Sequence, residues 1–194
     1  MERAEEREMM RKAAAGDREA AAKCIRTFQP SVYTYILRMS GRPDVAEDIV
    51  QEAFVRVLTN LHRFDDRYRF STWLFTIARR LYVNACQKMK PRYDTSIVDG
   101  WGAKPMPPEA SIDDGDAMSH ARSSLNRVLQ ELPATQREVI VLFHQLDWPI
   151  ALIAEHLGMP EGTVKSHLHR GRKKLRDLLE ASEKDIAQVE DVWA

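Results

Sequence analysis

Apolar side chains recur at spacings of three and four along two stretches of this chain. In the first, Ala21, Ile25, Phe28, Val32, Ile36 and Met39 mark one face of a helix opening at Asp17, whose carboxylate suits an N-cap. Pro30 lacks an N–H and crowds the preceding turn, so a kink or break is predicted there. Ser40-Gly41-Arg42-Pro43 reads as a stop. Asp44, with Glu47 three residues on, has the form of a capping box. Behind it Val45, Ile49, Val50, Phe54, Val57, Leu58 and Leu61 form a second apolar face. Arg63 to Phe70 reads as a polar loop studded with aromatics, and Ser71 as the cap of a third helix with Trp73, Leu74, Ile77, Ala78, Leu81 and Ala85 inward.

The pattern then stops. Lys90 to Asp116 has no period and holds Pro91, Pro105, Pro107, Pro108, several Gly and many acids, a composition that cannot bury a core. Helical spacing returns from Ala117 with Leu125, Val128, Leu129 and Leu132, ends at Pro133, and resumes with Val139, Ile140, Leu142 and Phe143. No run alternates with period two, and no internal repeat is present. The pattern predicts an all-α protein of two small helical domains, residues 1–90 and 117–194, joined by a flexible acidic linker, residues 91–116.

Composition narrows the class. The 194 residues are 44% hydrophobic and 30% charged, as expected of a soluble globular protein, and the apolar runs are too short to span a bilayer. Met1 to Lys12 is dominated by Glu and Arg and lacks the apolar stretch of a secretory signal. Cys24 and Cys86 are too few for a disulfide scaffold and read as reduced thiols of a cytosolic protein. The net charge of zero argues against a nucleic-acid ligand only until position is considered. Residues 91–116 are acidic, Glu161 to Arg176 carries Lys165, Arg170, Arg172, Lys173, Lys174 and Arg176 against one acid, and the tail turns acidic again with Asp177, Glu180, Glu183, Asp185, Glu190 and Asp191.

That basic segment lies in the most informative motif. Asp147 is placed to cap a short helix with Pro149 in its first turn and Ile150, Ile153, Ala154 and Leu157 on its apolar face. Gly158 suits the left-handed conformation that ends a helix, and Pro160 starts the next. There Val164, Leu168 and Leu175 point inward, while Lys165, Ser166, His169, Arg170, Arg172 and Lys173 project outward. Helix, tight turn and basic helix make a helix-turn-helix, whose second helix fits the major groove. A charge run on a helix is usually just a solvated face. Here it follows directly on the turn without the interleaved acids of a salt-bridged surface, which favours DNA contact.

Two further strings carry a family resemblance. Leu132-Pro133-Ala134-Thr135-Gln136-Arg137-Glu138-Val139-Ile140, followed by Ile153-Ala154-Glu155-His156-Leu157-Gly158 and Gly162-Thr163-Val164-Lys165-Ser166, resembles the C-terminal domain of extracytoplasmic-function sigma factors, bacterial RNA polymerase subunits of the sigma-70 superfamily. Ala46-Glu47-Asp48-Ile49-Val50-Gln51-Glu52-Ala53-Phe54, then Phe70-Ser71-Thr72-Trp73-Leu74 and Ile77-Ala78-Arg79, resembles their N-terminal domain. The resemblance covers Ala14 to Leu179.

The resemblance implies core RNA polymerase, promoter DNA and an anti-sigma factor as partners, with no cofactor, no metal and no membrane insertion. It places polymerase binding on Asp48, Gln51, Glu52 and Arg56, although as residues alone these acids read equally as solvated surface. It places minus-ten capture on Arg79, Arg80, Asn84 and Lys88, with Tyr68, Phe70 and Tyr82 nearby as flat surfaces for bases, and makes Trp73 core. Minus-thirty-five reading falls to Lys165, Ser166, His167, His169 and Arg170, with Arg172 and Lys173 farther along the helix. The acidic linker matches the segment that threads through polymerase, and a simple tether explains its composition as well. The chain departs from the family's usual residues at Arg80, Asn84, His167 and Gly171, departures that leave the fold untouched and bear on promoter specificity.

An enzyme is not expected. No nucleophile and base stand at motif spacing, no phosphate-binding glycine loop is present, and the six His are scattered. His167 and His169, two apart on a helix, diverge and make a poor metal pair. The competing reading is a conventional helix-turn-helix repressor or activator, against which the two N-terminal strings count.

Overall fold

The computed structural model describes residues 3–89 and 125–193, with side chains as far as residues 88 and 181 respectively. Among these residues every regular element is a helix, so the chain is all-α. It forms two compact units, residues 1–99 and 100–194, each described separately below. The sequence-predicted linker, residues 91–116, lies outside the described residues.

The first unit contains α1 (Arg3–Ala14), α2 (Arg18–Ser40), α3 (Pro43–Thr59), a 3-10 turn (Leu61–Arg63) and α4 (Phe70–Met89). The core follows the periodic stripes: Val32, Tyr35 and Ile36 of α2, Val50, Ala53 and Val57 of α3, and Leu74, Phe75 and Ala78 of α4 are buried together. Asp17 caps α2 as predicted, its Oδ1 accepting Glu19 N–H at 2.9 Å and Ala20 N–H at 3.1 Å. An aromatic nest closes the start of α4. Phe70 is fully buried, with Phe28 at 5.2 Å, Phe64 at 5.6 Å and Trp73 at 6.0 Å between ring centroids.

Three expectations for this unit need correction, and one helix stands where the apolar pattern marked none. The chain before Asp17 is that helix, α1, which buries Glu6, Met9 and Met10. Pro30 does not break α2, which runs through it; one backbone donor is lost, while Cys24, Val32, Tyr35, Ile36 and Met39 on the same helix stay buried. Asp44 and Glu47 do not form a capping box. Pro43, with its φ preset for a helix, is the first residue of α3, so Asp44 already lies inside the first turn and its carboxylate pairs with the Arg42 guanidinium, Nε–Oδ1 3.1 Å. Finally, Ser71 does not cap α4. The helix starts at Phe70, and the carboxylate of Glu6 accepts both Phe70 N–H at 2.6 Å and Ser71 N–H at 3.3 Å.

The second unit contains α5 (125–130), α6 (Ala134–His144), α7 (Ile150–Leu157) and α8 (Glu161–Trp193). Val128, Leu129, Leu132, Val139, Ile140, Leu142, Trp148, Ile153, Val164 and Leu168 form its core. Arg137 is buried with them. Its guanidinium donates to the side chain and carbonyl of Gln130 and to the Leu132 carbonyl, satisfying backbone acceptors left at the end of α5. Asp147 is not the cap of α7. It sits in the preceding turn at φ 50°, and Pro149 occupies the capping position without a side-chain bond.

Candidate nucleic-acid and polymerase surfaces

The turn between α7 and α8 is short because Gly158 takes φ 66°, and its N–H closes on the Ala154 and Glu155 carbonyls. Val164 and Leu168 hold α8 against the unit, and Gly171 lets it approach α6 closely. A Cβ added at Gly171 would stand 2.7 Å from Ile140 Cδ1. This inward stripe fixes the rotation of α8. At about 100° per residue, Ser166, His169, Arg170 and Lys173 fall on the outward middle, and all four are exposed. Ser166 Oγ donates to the Gly162 carbonyl at 2.9 Å, and Lys165 pairs loosely with Glu161 at 3.9 Å.

Two sequence-predicted contacts, His167 and Arg172, sit at the edges of that face. His167 is half-buried, its Nδ1 shielded and without a hydrogen-bond partner among the described residues. Arg172 is engaged by α6: its guanidinium lies 5.1 Å from the Phe143 ring centroid, and its Nε–H donates to His144 Nε2 at 3.0 Å. Burial, then the neighbouring guanidinium, pushes the His144 imidazole below its ordinary value, against an opposing pull from Asp147.

In the first unit, Asp48, Gln51, Glu52 and Arg56 are all exposed on α3, and Glu52 Oε1 accepts from Arg56 Nε at 2.6 Å. Sequence reasoning assigned these residues and those of α4 to different tasks, yet Asp48, Ile49, Glu52 and Arg56 line one groove of about 630 Å³ with Leu81, Asn84, Ala85, Gln87 and Lys88. Arg80, Asn84 and Lys88, four apart, share one side of α4, and each is exposed. Arg79 is half-buried and projects about 100° away from Arg80, so it does not share their face.

The aromatic trio divides. Phe70 is core, and Tyr82 is half-buried with its hydroxyl donating to the Met39 carbonyl at 2.9 Å. Tyr68 is 60% exposed on the loop before α4. Trp73, expected in the core, is half-buried and packs on Phe64 at 5.4 Å. Sequence reasoning missed Arg3, Glu6 and Arg7 of α1, which hold that loop by its backbone: Arg3 donates to the Arg67 carbonyl and Arg7 to the Asp66 carbonyl, the latter at 2.9 Å. The available signal was Glu6, Met9, Met10 and Ala13 at spacings of three and four. Cys24 lies beneath Glu6 with its thiol pushed up to about 12 by burial and by that carboxylate, and so stays un-ionised. Among the described residues no helix is long and apolar enough to cross a membrane.

Residues 24–91 match the family Sigma-70 region 2, and residues 122–175 match Sigma-70, region 4. The chain is 34% identical over 174 residues to the ECF RNA polymerase sigma factor SigW of Bacillus subtilis (strain 168), covering 84% of this chain and 91% of SigW. Its fold is that of CnrH, solved in complex with the cytosolic domain of CnrY, at TM-score 0.66 and 22% identity over 91% of this chain and 97% of CnrH. It is also that of the sigma factor RpoE from Bartonella quintana, solved with the anti-sigma factor NepR, at TM-score 0.60 and 23% identity over 82% of this chain and 96% of RpoE. With both sigma-70 regions matched in order and 34% identity to SigW across 84% of this chain, the chain belongs to the extracytoplasmic-function RNA polymerase sigma factors.

Proposed function

We propose that this sigma factor divides its work between domains at residues 1–90 and 117–194, joined by residues 91–116. The polar side of α3, with Asp48, Gln51, Glu52 and Arg56, docks on core RNA polymerase. The loop carrying Tyr68, with Arg80, Asn84 and Lys88 of α4 and Arg79 on a neighbouring flank, captures one strand of the melted minus-ten element. Cations hold its phosphates, and the exposed ring stacks on a base. In the second domain α8 enters the minus-thirty-five major groove with Lys165, Ser166, His169, Arg170 and Lys173, while His167 and Arg172 flank the contact. The factor has no catalytic chemistry of its own and acts in the cytoplasm, where polymerase and promoter meet. An anti-sigma factor controls it by covering these surfaces, a reading supported by the shared fold of RpoE from Bartonella quintana, solved with NepR.

The observation that carries this reading is the exposed face of α8. Ser166, His169, Arg170 and Lys173 stand together behind a glycine-closed turn, over a buried stripe of Val164, Leu168 and Gly171. The test is run-off transcription with purified core polymerase on a promoter library. Promoter-specific transcripts that need both the chain and core are expected. Operator binding by the chain alone, with no core-dependent transcript, would refute the assignment of surfaces.

A further inference from the structure

Three side chains of α1 reach across to one short segment of backbone, and each is matched to the group it meets. Glu6, an acid, takes two N–H groups at the start of α4, from Phe70 at 2.6 Å and Ser71 at 3.3 Å. Arg3, about one turn before Glu6, and Arg7, the residue after it, donate to the carbonyls of Arg67 and Asp66 just before that helix. A helix N-terminus leaves N–H groups unpaired and carries partial positive charge, so a carboxylate is the favoured partner. Glu6 is only 5% exposed, and a buried carboxylate is tolerated where such donors satisfy it.

These contacts bracket Tyr68 and Arg69 and use only the backbone of the segment, leaving the side chains between them uncommitted to α1. The segment is also tied internally. Asp65 accepts from Arg67 N–H at 3.0 Å and from its guanidinium, and Tyr68 N–H reaches the Asp65 carbonyl at 3.1 Å. The Tyr68 ring stands outward from the middle of this clasp, 60% exposed.

We propose that α1 is a positioning element for strand capture. Glu6, with Arg3 and Arg7, fixes the backbone on both sides of Tyr68, so that the ring meets the melted minus-ten strand already ordered and the ordering entropy is not spent at the moment of melting. The proposal rests on the reading of this loop as the strand-capturing loop, and its test separates the two.

The experiment uses the full chain, alone and as holoenzyme with core polymerase. Variants are Glu6→Ala, Glu6→Gln, the double variant Arg3→Ala/Arg7→Ala, Tyr68→Ala, and Ile36→Val as a core-destabilised control. Deuterium exchange of the Phe70 and Ser71 amides reports the clasp, permanganate reactivity of the minus-ten element reports melting, and affinity for core is measured in parallel. Glu6→Ala should speed exchange at those amides by about tenfold or more and lower melting by a similar factor, with core affinity unchanged. Glu6→Gln keeps an acceptor oxygen and should restore most of both, and the exposed arginine pair keeps the test valid should Glu6→Ala fail to fold. Ile36→Val should change neither, because the loop opens without global unfolding. Equal effects from Ile36→Val and Glu6→Ala would reduce α1 to a structural prop and overturn the proposal. So would a loosened loop in Glu6→Ala with wild-type melting. In that event a melting defect in Tyr68→Ala lays the failure on the clasp, and normal melting in Tyr68→Ala lays it on the reading of the loop.

Discussion

The carboxylate of Glu6 accepts the backbone N–H of Phe70 at 2.6 Å across 64 positions of sequence, and so does for α4 what a local Ser or Asp does for most helices. Removing it strands two N–H groups at a site shielded from water. Glu6→Ala should therefore lower unfolding free energy by about 1–3 kcal/mol. Ser71→Ala should cost less than about 0.5 kcal/mol, the range of an ordinary surface change rather than of a lost cap. Urea denaturation of the two variants decides between them, and a larger loss from Ser71→Ala would return the cap to the serine.

Polymerase docking through α3 predicts a loss of affinity without a loss of fold. Asp48 and Glu52 are exposed, and Glu52 is tied to Arg56 in a solvent-facing pair of the kind that adds little to stability. Reversing both acids to Lys should weaken binding to core polymerase by at least about tenfold, while stability changes by less than about 0.5 kcal/mol. Because Asp48 and Glu52 share a groove with Asn84 and Lys88, the same double variant should also alter minus-ten melting in whatever holoenzyme forms. Unchanged affinity in a fluorescence titration against core would remove α3 from the interface.

The approach of α8 to α6 depends on Gly171 having no side chain. A Cβ there would meet Ile140 Cδ1 at 2.7 Å and Cγ1 at 3.3 Å. Ala would gain roughly 1 kcal/mol of helix propensity over Gly, but Ile140 would have to shift within a packed core. Gly171→Ala should be destabilising in the wild-type background and less so with Ile140→Val, which deletes the clashing methyl. A double-mutant cycle by urea denaturation should give a coupling of about 0.5 kcal/mol or more. Strict additivity would mean that the two residues do not limit each other.

The helices were legible where an apolar stripe fixed their rotation, as in α2, α3, α4 and α8. Their beginnings were not. Asp44, Ser71 and Asp147 each have the chemistry of a cap, yet Pro43 and Pro149 set two helix starts through backbone geometry and Glu6 caps the third from far along the chain. α1 escaped notice because its inward face is two methionines and an acid whose burial makes sense only once its N–H partners are in place. Surface placement followed the same rule. The inward positions Val164 and Leu168 make the middle of the α8 face readable from sequence. The edges are not readable, since Arg172 is engaged by Phe143 and by His144, 28 positions away. The family resemblance groups Arg79 with Arg80, although neighbours on a helix diverge by about 100°.

Two residues on the outward face of α8 should behave differently toward DNA. A bidentate Arg–base contact gives about 1–3 kcal/mol of discrimination, whereas a phosphate contact gives affinity without sequence information. Arg170→Ala should lower promoter affinity and flatten preference at one or two minus-thirty-five positions. Lys173→Ala should weaken binding alike for all sequences and reduce the slope of log K against log salt by about 0.9 for one lost phosphate contact. Fluorescence anisotropy of holoenzyme on promoter variants across a salt series reads both. If neither variant changes affinity or slope, α8 does not enter the groove.

Arg172 should act through α6, in a way that depends on pH. Its Nε–H donates to His144 Nε2, so the bond requires the neutral imidazole with its proton on Nδ1. Burial first, and the guanidinium second, lower the His144 value below its ordinary 6.5, with Asp147 pulling the other way. A group that binds its proton less readily when folded contributes stability that is fully present above its unfolded value. That contribution falls away as pH drops below 6.5 toward the folded value, where protonation removes the acceptor and sets a cation beside Arg172. The wild-type chain should therefore lose more stability between pH 7 and pH 5 than His144→Gln, whose amide oxygen accepts the same bond without titrating. Arg172→Ala should raise the titration midpoint of His144 toward 6.5 in an NMR titration assigned by comparison with His144→Gln. A wild-type midpoint at or above 6.5, or no movement on loss of Arg172, would show that the two side chains do not hold one another.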